Sequence, residues 1–271
     1  MDLRQKAAYR EKRFHCGDYL DVYCYTIYQG TAPAGRRGKR GKPTTEARKA
    51  QNRHQATERL TRLLNRNFDE TGVFLTLTYR ENPETLERVQ KDVQNFFRRL
   101  KRKRDKLGLG ALKYLYVIEC SSTGRWHIHL VMDGDMDRDA VEKAWGKGYA
   151  NSRRLQFGPQ GLAGLAKYMM KSPKTFRGWS RSKNLIDPEP EVRDSRIRSR
   201  RKALALSEGR DEDWAREYPG YRLAEIGRFY QDEENGVYLF ARLYREDAGF
   251  IKKKGRGKQD EHGQTIQHPR I

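Results

Sequence analysis

Residues 113–132 read KYLYVIECSSTGRWHIHLVM. Two runs rich in β-branched and aromatic residues, 113–120 and 126–132, flank SSTGR, in which Gly124 supplies the backbone freedom of a tight turn. This pattern predicts an antiparallel β-hairpin. Side chains alternate along a strand, so His127 and His129 leave one face while Ile128, Leu130 and Met132 leave the other toward a core. With Thr123 at the centre of the turn, residue 119 lies opposite 127 and residue 117 opposite 129. Glu119 then shares the face of both histidines, and a register slip of one residue would turn it away. A carboxylate with two imidazoles can ligate a divalent cation and leave positions open for water or a phosphate oxygen. The plain alternative is a surface histidine pair beside an unrelated glutamate.

Working outward, residues 19–28 (YLDVYCYTIY) and 73–79 (VFLTLTY) read as strands. Residues 44–66 read as a helix with Leu60, Leu63 and Leu64 on its apolar stripe. Asn82-Pro83-Glu84 predicts a helix start, with Asn82 as cap and proline in the first turn. Leu86, Val89, Val93, Phe96 and Leu100 then recur at helical spacing up to Gly108. Asp137 is expected to cap a short helix to Trp145, and residues 160–171 read as a helix stopped by Ser172-Pro173. Beyond residue 180 the patterning thins to a late hairpin at 221–230 and 237–245. Interspersed helices and an antiparallel hairpin predict an α+β fold, an antiparallel sheet with helices packed on it, plus a basic C-terminal extension. Residues 1–69 are expected to join a core at 70–180, with 181–271 as the extension.

The 271 residues carry a net charge of +21, which points to a polyanionic partner. The positive charge is clustered at 36–42, 98–106, 193–202 and 252–258. Each cluster read alone is as easily a solvated face; together they favour phosphate contacts, which hold nucleic acid without reading its sequence. No run of 18 apolar residues exists and no apolar signal core opens the chain, so neither a membrane-spanning helix nor secretion is expected. An anionic membrane surface is the second choice of polyanion, and with no amphipathic helix showing a strong apolar face with aromatic anchors, no membrane partner is expected. Three cysteines without zinc-finger spacing fit a reducing cytoplasm.

In LAKYMMKS (165–172), Tyr168 and Lys171 are three apart and would share a helix face. A free phenol, with a pKa of about 10, is a poor nucleophile at neutral pH unless a cation favours its phenolate. Taken alone, the pair is more simply a core aromatic followed by a solvated lysine.

The order of these features is informative. FLTLTY (74–79), then HIH (127–129), then YMMK (168–171) in a basic chain resembles the motif series of rolling-circle replication initiators, the Rep proteins of small phages and plasmids within the HUH endonucleases. Glu119 matches the carboxylate that many members place on the strand before the histidines. The resemblance covers roughly residues 70–175, and it implies an HUH fold of the ferredoxin or RRM kind. It further implies that Glu119, His127 and His129 hold a divalent metal, magnesium or manganese, and that Tyr168 nicks single-stranded DNA at an origin. The tyrosine would keep a 5′-phosphate and release a 3′-hydroxyl that primes a polymerase. Lys171 would orient the tyrosine or neutralise charge. Gly164 and Leu165 stand one turn before Tyr168, so a single-tyrosine mechanism is expected. No G-x-x-x-x-G-K-[ST] phosphate loop occurs, so unwinding is expected from a host helicase in a bacterial cytoplasm or from a superhelical origin that melts locally. For the DNA itself, Arg98, Arg99, Lys101 and Arg102 are candidates to grip an origin hairpin, with Arg125 and Lys167 beside the reacting strand. Trp126 is a stacking candidate, though alternation puts it on the core face. A transposase or relaxase of the same superfamily, a non-catalytic nucleic-acid-binding module and a basic membrane-surface protein are the competing readings.

Overall fold

The computed structural model describes residues 7–28, 46–171, 178–194, 196–197, 199–230 and 237–250. The 36–42 and 252–258 basic clusters lie outside them. In chain order the elements begin with β1 (Ala7–Cys16) and β2 (Tyr19–Tyr28), a hairpin turned at Gly17. Then come α1 (Glu46–Asn67), β3 (Val73–Thr78), α2 (Leu86–Lys106), β4 (Tyr114–Cys120) and β5 (Trp126–Met132). They are followed by α3 (Arg138–Trp145), β6 (Ala150–Arg154), α4 (Ala163–Met169), β7 (Ser180–Arg181) and β8 (Pro190–Arg193). Last are α5 (Arg200–Glu208), α6 (Asp211–Glu217), β9 (Tyr221–Tyr230) and β10 (Val237–Arg245).

The strands form two five-stranded antiparallel sheets, ordered β6-β3-β5-β4-β7 and β8-β1-β2-β10-β9. The α+β class is as the sequence predicts. The division into two sheets is not read from the sequence, because the second sheet pairs segments far apart in the chain, such as Cys24 with Leu239.

The first sheet has two covered faces. Leu75 and Leu77 of β3 and Ile128 and Leu130 of β5 pack with Val93, Phe96 and Leu100 of α2 and Trp145 of α3. On the opposite face, Leu115, Val117 and Val131 meet Leu60, Leu63 and Leu64 of α1 and Ala166 and Met169 of α4. Helix α1 also touches the second sheet. Its Glu58 pairs at 2.6 Å with the fully buried Arg242 of β10, which also binds Asp21 of β2 at 2.8 Å. Arg62 donates to the Tyr23 hydroxyl at 2.6 Å. One helix therefore fills the space between the sheets, apolar toward the first and charged toward the second.

Two local expectations are corrected. Helix α2 begins at Leu86 with Thr85 as its N-cap, the Thr85 hydroxyl accepting from the Arg88 N–H at 3.3 Å. Asn82 instead turns to the β4–β5 hairpin, donating to the Gly124 carbonyl and accepting from the Trp126 N–H, both at 3.0 Å. Helix α4 is shorter than residues 160–171 and ends at Met169, with Met170 as C-cap. Among the described residues no helix is long and apolar enough to cross a membrane.

Candidate active site

The β4–β5 hairpin has the register that its turn predicts: Glu119 lies opposite His127 and Val117 opposite His129. On the other side, β3 places Thr78 beside His127 and Thr76 beside His129. Both histidines and Glu119 thus leave the face on which α1 and α4 pack. The close bond is diagonal: His129 Nε2 and Glu119 Oε2 are 2.9 Å apart. The His129 ring is 2% exposed, and its Nδ1 is buried with no hydrogen-bond partner. Burial pushes the His129 pKa below its ordinary value; Glu119 opposes this and His127 adds to it. The neutral imidazole, the form that ligates metals, is favoured. His127 is half-buried beside the pair.

Tyr168 meets this group from α4. Its ring centroid is 4.9 Å from that of His129, edge-on at 68°, and 6.1 Å from that of Phe74, edge-on at 84°. Phe74 in turn lies nearly parallel to His129 at 6.0 Å. The tyrosine is 51% exposed, so one side of the ring rests on the site and the other is open to a substrate. The seat of α4 comes from α1: Asn65 Oδ1 accepts from the Leu162 N–H at 2.9 Å, satisfying a backbone donor that the start of α4 leaves unpaired. Gly161, at φ 60°, permits this approach, since a Cβ there would lie 2.5 Å from the Asn65 amide. Ala163, Ala166 and Met169 turn inward, which leaves Lys167 and Tyr168 outward.

The remaining sequence candidates separate. Lys171 is exposed one residue past the C-cap, its backbone N–H donating to the Tyr168 carbonyl at 3.3 Å. The expectation of a shared helix face is corrected there, because the helix has already ended. Arg125 donates to the Tyr79 carbonyl at 2.9 Å, and Lys167 is exposed beside Tyr168. Trp126 faces the core, with Nε1 donating to the Pro83 carbonyl at 3.0 Å. The α2 cluster lies on the opposite face of the sheet from the histidines. Within it Arg99 is turned inward onto the carbonyls of Ala144 and Trp145 at 2.7 and 2.9 Å, where it closes the end of α3. Lys101 pairs with Asp105 at 2.8 Å, and Arg98 and Arg102 are exposed. Phe74 and Asn65 are members of the site that the sequence reading lacks. Alternation in FLTLT places Phe74 on the histidine face, whereas nothing local in the sequence ties Asn65 to residue 162.

Residues 72–173 match the family described as Replication-associated protein ORF2/gene 2 protein. The match begins one residue before β3 and contains the hairpin, Tyr168 and Lys171. It supports a replication-initiator protein of the Rep type and a role in replication initiation. No curated protein and no solved structure gives a match.

The donor set suits a hard or borderline divalent cation. Two ligands about 2.1 Å from one cation, at right angles, stand about 3 Å apart; Glu119 Oε2 and His129 Nε2 face each other at 2.9 Å. The unpartnered Nδ1 shows that the ring is not committed to a second bond within the protein. Among the described residues no three His, Cys, Asp or Glu side chains already form a metal-holding group. His127 is the member that would have to close onto the pair.

Proposed function

We propose that the protein is a metal-dependent, site-specific single-stranded DNA endonuclease and strand transferase that nicks a replication origin and starts rolling-circle replication. What carries the reading is the phenol ring of Tyr168 standing edge-on to His129 at 4.9 Å, half open to solvent, beside the Glu119–His129 pair. The family match supports the replication part of it.

Magnesium or manganese held by Glu119, His127 and His129 would supply Lewis-acid polarisation of a phosphate oxygen. The chain's own residues do the rest. Tyr168, fixed by its contacts with Phe74 and His129, presents its hydroxyl to a phosphodiester laid across the open side of the ring. The phenol oxygen forms the new P–O bond while the bond from phosphorus to the 3′-oxygen breaks. The phenol gives up its proton and the departing 3′-oxygen gains one, so the step is proton-neutral. A phenolate leaves more readily than an alkoxide, and the 5′-phosphotyrosine therefore remains able to rejoin the strand. Exposed Lys167 and Lys171 flank the tyrosine and neutralise backbone charge. The released 3′-hydroxyl is a primer for a polymerase, with strand separation supplied by a host helicase.

The test mixes purified protein, manganese and end-labelled single-stranded origin DNA, then runs a denaturing gel. A protein–DNA adduct is expected, and it should vanish with EDTA, with Tyr168→Phe and with His127→Ala. An unchanged adduct in Tyr168→Phe would remove that residue from the reaction. Absence of any adduct, with binding retained, would favour the non-catalytic nucleic-acid-binding module.

A further inference from the structure

One cavity, on the α2–α3 side of the first sheet and so across it from His129 and Tyr168, has no role in the nicking chemistry. It is a solvent-open hollow of about 610 Å³ between the end of β3, the start of α2 and residues 146–148. Tyr79, Asn82, Arg88, Asp92 and Lys147 are among its lining residues. The volume suits one nucleotide. It adjoins the strand that carries His127: the Tyr79 carbonyl holds Arg125, Asn82 holds the Trp126 N–H, and Thr78 is the cross-strand neighbour of His127.

Two groups in the lining call for a polar ligand. The Tyr79 side chain is 4% exposed, and its hydroxyl is buried with no hydrogen-bond partner. Asp92 is 3% exposed, and its carboxylate oxygens stand 3.5 Å from Arg88 Nε and 3.4 Å from Lys147 Nζ, longer than full hydrogen bonds. Burying a hydroxyl without a partner is unfavourable, so this tyrosine is poorly explained by packing alone. A buried carboxylate accepts from an exocyclic amino group, and thymine has none to offer. Arg88, largely exposed, and Lys147 supply cations at the rim for the attached phosphate.

We infer that this cavity is a specificity pocket that takes one unpaired, amino-bearing base of the bound DNA strand where it passes the end of β3, read by Tyr79 and Asp92. The inference rests on the proposed function for its choice of ligand. It gives the tyrosine that closes the FLTLTY stretch a task separate from nicking.

Binding without cleavage tests it. Fluorescence anisotropy of the full chain, without added divalent metal, is measured with 20-nucleotide probes of deoxycytidine, thymidine and deoxyuridine. The wild type is expected to bind the cytosine probe at least fivefold tighter than either of the others. Tyr79→Phe, which removes only an unpartnered hydroxyl and leaves the ring to pack, should erase most of that preference by weakening the cytosine probe alone. Arg88→Gln, at the exposed rim, should weaken all three probes alike. Equal binding of the three probes by the wild type, or a preference unchanged in Tyr79→Phe, would overturn the pocket. Failure to form a covalent adduct with the preference intact and Tyr79-dependent would instead overturn the nickase and leave the pocket standing.

Discussion

His129 illustrates how a single side chain can be positioned by the strand yet finished by burial. Its place beside Glu119 is readable from the turn, because alternation and register leave few choices once a hairpin is recognised. The diagonal bond to Glu119 is not, since it depends on side-chain torsions. The pair separates two effects that mutations can distinguish. Glu119→Ala removes the partner of a buried ring nitrogen and should cost about 1–3 kcal/mol in denaturant unfolding. Glu119→Gln keeps a hydrogen-bonding group and should unfold near the wild-type midpoint, yet weaken manganese binding at least tenfold in isothermal titration calorimetry. Equal manganese affinity in Glu119→Gln would remove the carboxylate from the ligand set.

Among the elements, α4 is the one whose position matters most, and its sequence overstates its length. Its apolar spacing announces a helix around 160–171, but seven residues, Ala163–Met169, form it, and the Lys171 expected on its face lies beyond its end. The helix is too short to be stable by itself. It is held by burial of Ala163, Ala166 and Met169 and by the bond from Leu162 to Asn65 of α1. Asn65→Ala should therefore lower stability by about 1–3 kcal/mol through an unsatisfied buried N–H. It should also slow adduct formation more than it weakens oligonucleotide binding. The two are read by denaturant melts and by a time course against anisotropy; parallel losses in rate and binding would argue that α4 is not what Asn65 positions. The cap of α2 departs from expectation for a related reason. Asn82 has the chemistry of a cap, but it finds two partners on a hairpin some 40 residues away.

At the scale of the molecule, local patterns recover the β4–β5 and β9–β10 hairpins and the longer helices, while the pairing of β2 with β10 stays invisible. Nothing in either strand names a partner more than 200 residues distant, and polar, short edge strands such as β7 and β8 carry little alternation. The first strand, AAYREKRFHC, is hidden by its charges, two of which, Glu11 and Arg13, are buried and paired with each other at 3.0 Å. Between the sheets, Arg242 holds Asp21 and Glu58 in the interior. Removing only the cation strands two buried carboxylates, so Arg242→Ala should cost about 3–5 kcal/mol. The triple change of Arg242, Asp21 and Glu58 to apolar residues of similar size should cost much less in the same melts. A small loss for the single variant would mean that α1 is not clamped between the sheets by this cluster. The basic surface acts at this scale too. With phosphate contacts dominating, affinity for single-stranded DNA should fall steeply and log-linearly with salt.

The position of the covalent bond is the most direct test. After reaction with manganese and single-stranded origin DNA, nuclease trimming and trypsin digestion, mass spectrometry should find a 5′-phosphonucleotide on the peptide of residues 168–171, attached to Tyr168. A nucleotide on any other tyrosine, or none on a protein that has cut its DNA, would contradict the account.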